Sequence, residues 1–217
     1  MSLKNLVEIM LLALVFASCE HKICPQDKQV GTVEMQTNAK EFVPYTSNDT
    51  LQFLNEQAQL MQLFEIENIH NFHEKLCVKH LCTEPQFDGE SSCEYVAAES
   101  KKWVFANASQ DVVLDISLFP NIYTSDTIVM YYQFGITLSI NEAVGMGNAV
   151  ADAQNADSLL LVSQLPNPLL KVDTVVIKNE LFQNVLQIQS PAIKLYYQVE
   201  KGLIGFEDGE HQWVLVN

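Results

Sequence analysis

Between residues 127 and 140 the chain alternates without a break. Ile128, Met130, Tyr132, Phe134, Ile136, Leu138 and Ile140 are all apolar, and Val129, Tyr131, Gln133, Gly135, Thr137 and Ser139 between them make a wetter row. A period of two is the geometry of a strand with one face buried, because successive side chains point to opposite sides of the sheet. A helix would scatter the same residues around its whole circumference. The run is long for a strand, so a bend or bulge is expected near Gly135. Val112, Leu114, Ile116 and Leu118 repeat the pattern and are expected to stop at Pro120. Residues 51–55 and 60–66 read as a hairpin across the polar Asn55-Glu56-Gln57. Further short strands are expected at 103–105, 172–177, 185–188, 193–199, 203–207 and 213–216. The fold class that follows is mainly β: an antiparallel curved sheet, half-barrel or sandwich of about ten strands.

One section departs from this. Residues 141–157 are rich in Ala, Gly and Asn, and LLLVSQLPNPLL at 159–170 is interrupted by two prolines. We read an excursion here, with a short helix within 143–155, able to lid a cavity or to cover an open sheet edge. Strand starts share one device. Asp49-Thr50-Leu51, Asp126-Thr127-Ile128, Asp157-Ser158-Leu159 and Asp173-Thr174-Val175 each place a turn-forming Asp before a hydroxyl residue and an aliphatic one.

Charge removes whole classes of function. The 217 residues carry 12 cations, all of them lysine, against 27 acids, a net charge of −15. Nucleic-acid binding needs clustered cations and favours arginine forks, so it is not expected, and neither is adhesion to anionic lipid through a basic patch. With 48% hydrophobic residues the chain has ample material for a core.

The first nineteen residues, MSLKNLVEIMLLALVFASC, place Lys4 early, then an apolar run from Ile9 to Ala17, then a small residue and Cys19. The run is too short to span a bilayer permanently and reads as the core of an export signal. Ending on Phe16-Ala17-Ser18-Cys19, it resembles a bacterial lipoprotein signal. Phe16 stands where leucine is usual, and Glu8 is an unusual charge. That resemblance implies cleavage before Cys19 and acylation of its thiol with diacylglycerol and fatty acid such as palmitate. The acyl chains, rather than the acidic body, would then hold the protein to the membrane. A plain secretory signal cut after Ser18 is the competing reading. On this basis residues 1–18 are a signal, 19–40 a polar tether and 41–217 a single β-rich domain.

The C-terminal stretch reads as a closing meander. Phe182, Asn184 and Val185 mark one hairpin corner; Tyr196, Tyr197, Gly202, Leu203 and Ile204 mark another; Trp213 opens the last strand. Together these resemble the end of uncharacterised lipoproteins from Bacteroidota, which implies an outer-membrane address in the cell envelope and brings no catalytic residues with it. The Asp-Thr/Ser-aliphatic tripeptides likewise resemble the O-glycosylation sequon of envelope proteins from that phylum. Gly202 and Gly209 fall where hairpins need positive φ, and Gly205, mid-strand, is expected to be approached closely by a neighbour's aromatic ring.

Five cysteines leave Cys24, Cys77, Cys82 and Cys93 after Cys19. An even number in an exported chain implies disulfides, and four cysteines allow three connectivities. Cys82 with Cys93 and Cys24 with Cys77 is one; Cys77 with Cys82 is a local alternative. The competing chemistry is metal, since His70, His73, Cys77 and His80, with Cys82 close by, would share a helical face at spacings of 3, 4 and 3. As a strand the same set splits between two faces, and no metal or other cofactor is expected. Gly145-Met146-Gly147 followed by Val150 is a broken dinucleotide fingerprint without a βαβ context. Glu84, Asp88, Glu90, Glu94 and Glu99 lack the ladder of a calcium loop. Nothing matches a nucleophile elbow, a zinc-protease helix or a P-loop.

The expected function is therefore a non-catalytic, lipid-anchored envelope lipoprotein, a binding or scaffold module for a partner, protein or apolar ligand, that the residues do not name. The alternative is a carrier whose curved sheet cups an apolar ligand or lipid. Its wall would be Ile128, Met130, Tyr132, Phe134 and Ile136.

Overall fold

The computed structural model describes residues 24–82, 91–124, 128–153 and 165–216. The described residues fall into two compact units, the smaller from 24–30, 77–82 and 91–95, the larger from within 31–76 and 96–216.

Among the described residues there are twelve strands and one short helix: β1 (Lys28–Val33), α1 (Thr37–Glu41), β2 (Thr50–Leu54), β3 (Leu60–Cys82), β4 (Ser92–Ala106), β5 (Val112–Thr124), β6 (Ile128–Ile140), β7 (Ala143–Ala153), β8 (Leu170–Ile177), β9 (Glu180–Gln189), β10 (Lys194–Gln198), β11 (Gly202–Glu207) and β12 (Gln212–Val216). They form one sheet in the order β7-β6-β5-β4-β3-β2-β12-β11-β10-β9-β8, with β1 paired to β4. The mainly β, antiparallel, curled architecture read from the alternation is what the chain adopts, with more strands than ten.

Within the larger unit the sheet rolls until its two end strands nearly meet. The backbone of Asn148 on β7 donates to the Asn167 carbonyl at 3.0 Å and accepts from the Leu169 N–H at 2.8 Å, where the chain enters β8. The described end of the apolar excursion thus covers a sheet edge, the second of the two roles read for it. Leu165 is buried there against Tyr131.

The alternating row of β6 supplies the core. Phe134, Leu138, Leu114, Ile116 and Leu118 are fully buried together with Phe53, Leu63, Tyr197 and Phe206. A second, smaller core forms on the opposite face of β10–β12, where Ile177 and Val185 of the β8–β9 ribbon pack on Tyr196, Ile204 and Val214.

Several local expectations change. Residues 143–153 are a strand, not a helix: Gly145 and Gly147 let β7 approach Ile193 and Ile188, where an added Cβ would lie 2.9 and 2.5 Å from side-chain carbons. The Gly145–Gly147 pair therefore serves packing. β5 continues through Pro120 to Thr124; its pairing with β4 ends at Leu118, so the missing proline N–H breaks no ladder there, while Pro120 still faces Tyr132 on β6. The bulge lies not at Gly135 but on the neighbouring strand, where Ala151 of β7 is the extra residue opposite the Tyr132/Gln133 step of β6. The β8–β9 hairpin turns at Lys178-Asn179, both with positive φ, as a two-residue loop requires, and Asn184 lies inside β9. Gly202 and Gly209 do have positive φ. Gly205 is closely approached, but by the Trp213 carbonyl and Ile177 rather than by a ring.

The polar tether is also revised over its described part. Residues 28–33 are strand and 37–41 helix, and Met35 and Ala39 are buried core residues. The anchor is Glu99 on β4, whose carboxylate accepts the Met35 N–H at 3.0 Å and lies 3.8 and 3.7 Å from the ammonium groups of Lys40 and Lys101. A buried charge flanked in this way is tolerable because it is both paired and hydrogen-bonded.

Candidate functional site

The row offered as a carrier wall lies on β6. Tyr132, Phe134 and Ile136 are buried in the main core, Met130 is half-buried, and the Ile128 side chain is outside the described residues, though its backbone pairs with Thr124. The Phe134 ring sits 4.6 Å from Tyr197 and 5.6 Å from Phe42. These are contact distances, so this row fills the interior instead of lining a hollow. The Tyr132 hydroxyl finds no hydrogen-bond partner among the described residues, and burial, helped by Glu99 and Asp152, pushes its pKa up to about 12.

The cysteines adopt the third connectivity. Cys24 is bonded to Cys82 (Cα separation 6.0 Å) and Cys77 to Cys93 (5.6 Å), both in the smaller unit. Cys77 and Cys93 face each other across neighbouring strands. The Cys82 sulfur lies 3.5 Å from Ser92 Oγ, and Cys24 Sγ lies 3.3 Å from the same hydroxyl. Nearby, Asp27 Oδ1 accepts the Cys93 N–H at 2.9 Å and Lys28 lies 3.4 Å from Glu94.

The histidine segment is strand β3, where His80 stands at the opposite parity to His73 and Cys77, the His70 side chain lies outside the described residues, and both cysteines of the weighed metal set are consumed in disulfides. Among the described residues no group of three metal-binding side chains converges. Thr50 and Thr174 are exposed on β2 and β8; Thr127 and Ser158 lie outside the described residues, as does Cys19. The Asp49 carboxylate does make a turn, accepting from the Thr46 N–H at 2.7 Å and hydroxyl at 2.9 Å, whereas Asp173 lies within β8 and starts no strand.

The larger unit has an open groove of about 690 Å³ where residues 44–52 meet β9, β11 and β12. Phe182, Ile204, Leu215 and Val216 give it apolar walls, and Glu180, Glu200 and Lys201 stand at its charged margin. Its size is that of a small-ligand or side-chain pocket. The floor is rigid. Tyr45, buried beneath, accepts the Leu203 N–H on its phenol oxygen at 2.7 Å, and its pKa is raised by burial, so it remains a neutral hydrogen-bonding group. Tyr197 donates its hydroxyl proton to the Phe42 carbonyl, fixing the segment that leads to Tyr45. Gly202, at φ +84°, completes the contact, since a Cβ there would lie 2.2 Å from the Tyr45 oxygen.

A polar cluster ties the last three strands together at the Glu207 end of β11, the end away from Gly202. Glu207 accepts from Tyr196 at 2.6 Å, Lys194 at 2.7 Å and Gln212 at 3.1 Å. Asp208 accepts from the Trp213 indole at 2.9 Å and from the His211 and Glu210 N–H groups at 2.8 and 3.0 Å. Partial burial alone would raise both carboxyl pKa values, but these donors outweigh it and hold them below their ordinary range. The carboxylates are thus occupied in holding strands together.

Glu99 entered the sequence reading only among acids that lack a calcium ladder; its buried pairing with Met35 carries no spacing signal, and its place beside Ala97 and Ala98 was the available hint. The groove was missed because its walls come from β2, β9, β11 and β12, separated widely in the chain. No known protein family, characterised protein or solved structure matches the chain.

Proposed function

We propose that this chain is a lipid-anchored lipoprotein of the bacterial cell envelope, held at the outer membrane by acylated Cys19, which acts as a non-catalytic binding or scaffolding module through its outer surface. The observation that carries the reading is the pairing of all four cysteines beyond Cys19 into two disulfides, the state expected of a protein matured in an oxidising compartment. The packed β6 row favours recognition on the outside over carriage of an apolar ligand within. The groove bounded by Phe182, Ile204 and Leu215 is the part of that surface best shaped to take a partner side chain. No helix among the described residues is long and apolar enough to cross a membrane.

The test is to express the chain in a Gram-negative host and compare it with Cys19→Ser. The native chain should partition with outer membranes and into detergent phase, and the variant should appear in the soluble envelope fraction. Equal behaviour of the two would refute the anchor. Partner capture should then be reduced by Phe182→Glu, with folding unchanged, if the groove is the recognition surface.

A further inference from the structure

The edge of β3 offers a partner site with defined chemistry. β3 spans 23 residues, but its pairing with β2 covers only Leu60–Phe64, while β4 lies on its other side. From Ile66 to Phe72, among the described residues, no strand pairs with the side that faces β2. A free edge of this length presents a row of backbone donors and acceptors to any extended chain. Proteins usually blunt such edges with lysine, proline or very short strands. Here the stretch Asn68 to Phe72 contains no acid, lysine or proline. Three of its neighbouring side chains are apolar and exposed: Ile66 at 54%, Ile69 at 36% and Phe72 at 54%.

We propose that this edge pairs with the same edge of a second copy, antiparallel, about a two-fold axis at Ile69. The sequence is self-complementary in that register. Ile66 falls opposite Phe72 of the second copy, on the sheet face that already carries exposed Leu60 and Phe64. Ile69 meets itself on the other face. Glu65 falls opposite His73, and Glu67 opposite Asn71, so no like charges meet. A shift of one residue places Glu65 against Glu74 and Glu67 against Phe72. The matched register is therefore selected over its neighbour by charge as well as by apolar contact. Pairing of this kind joins two copies isologously.

Sedimentation velocity over a concentration series, on the full chain in detergent, tests this. The native chain should dimerise reversibly. Ile66→Lys should raise the dissociation constant about tenfold or more, since each lysine then faces an apolar ring. Adding Phe72→Glu to it should recover most of the loss, because every altered position then faces its opposite charge. Phe64→Lys, also exposed but already paired to β2, should leave dimerisation unchanged, and circular dichroism of all variants should match the native chain. A monomer at every concentration, a double variant no better than Ile66→Lys alone, or equal weakening by Phe64→Lys would overturn the proposal.

Discussion

The carboxylate of Glu99 accepts the backbone N–H of Met35 at 3.0 Å, across 64 residues of sequence. This bond, with Lys40 and Lys101 beside it, turns a polar N-terminal stretch into part of the folded unit. Glu99→Ala leaves the Met35 N–H without its acceptor and should destabilise the protein by about 1–3 kcal/mol. Glu99→Gln keeps an acceptor oxygen and should lose less. Urea unfolding of the three proteins measures the order, and equal stability of Glu99→Ala and the native chain would show that the bond contributes nothing.

The disulfides have a specific map. A non-reducing digest should yield peptides linking Cys24 to Cys82 and Cys77 to Cys93, and no peptide linking Cys82 to Cys93. Loop-closure entropy suggests about 3 kcal/mol for the shorter loop and about 4 kcal/mol for the longer. Reduction should therefore lower the unfolding midpoint, with Cys24→Ala/Cys82→Ala losing at least as much as Cys77→Ala/Cys93→Ala.

Gly202 is constrained twice, by φ +84° and by the Tyr45 oxygen. Gly202→Ala should destabilise by about 1–3 kcal/mol through backbone strain and overlap. Tyr45→Phe removes the overlapping oxygen but strands the Leu203 N–H. In a double-mutant cycle the two changes together should therefore cost less than the sum of each alone. Strict additivity would mean that the Tyr45 contact is relieved elsewhere.

Glu207 and Asp208 have pKa values below their ordinary 4.5 and 3.8 because neighbouring donors outweigh burial. A depressed folded-state pKa stabilises above the ordinary value and the contribution is lost as pH falls through the folded one. Thermal stability should thus drop on acidification below about pH 4.5. In Glu207→Gln that acid-dependent drop should be smaller, on a lower plateau at neutral pH. An unchanged acid limb in the variant would remove Glu207 from the account.

How much of this was legible in the chain varies with the range of the forces involved. Alternation at β6 and β5 was visible because one buried face imposes a period of two, and the turns at Gly202 and Gly209 because positive φ selects glycine. β7 was misread because Ala and Gly there answer to Ile188 and Ile193 on distant strands, a demand that local composition cannot express. β3 extends far past its apolar start, through residues whose strand state is set by β4 rather than by their own pattern. The cysteine pairing followed strand register, which four positions in a line do not reveal. The Met35 N–H is met by Glu99, 64 positions away, a pairing that no local pattern expresses.

The central claim, a disulfide-locked β-module tethered by lipid, rests most directly on Cys19. Mass spectrometry of the N-terminal peptide, taken from protein purified out of the envelope of a Gram-negative host, reads it in one step. The account predicts a mature chain beginning at Cys19 and bearing diacylglycerol and fatty acyl mass on that residue. A chain that begins at Met1, or at Cys19 with a free thiol, would contradict it.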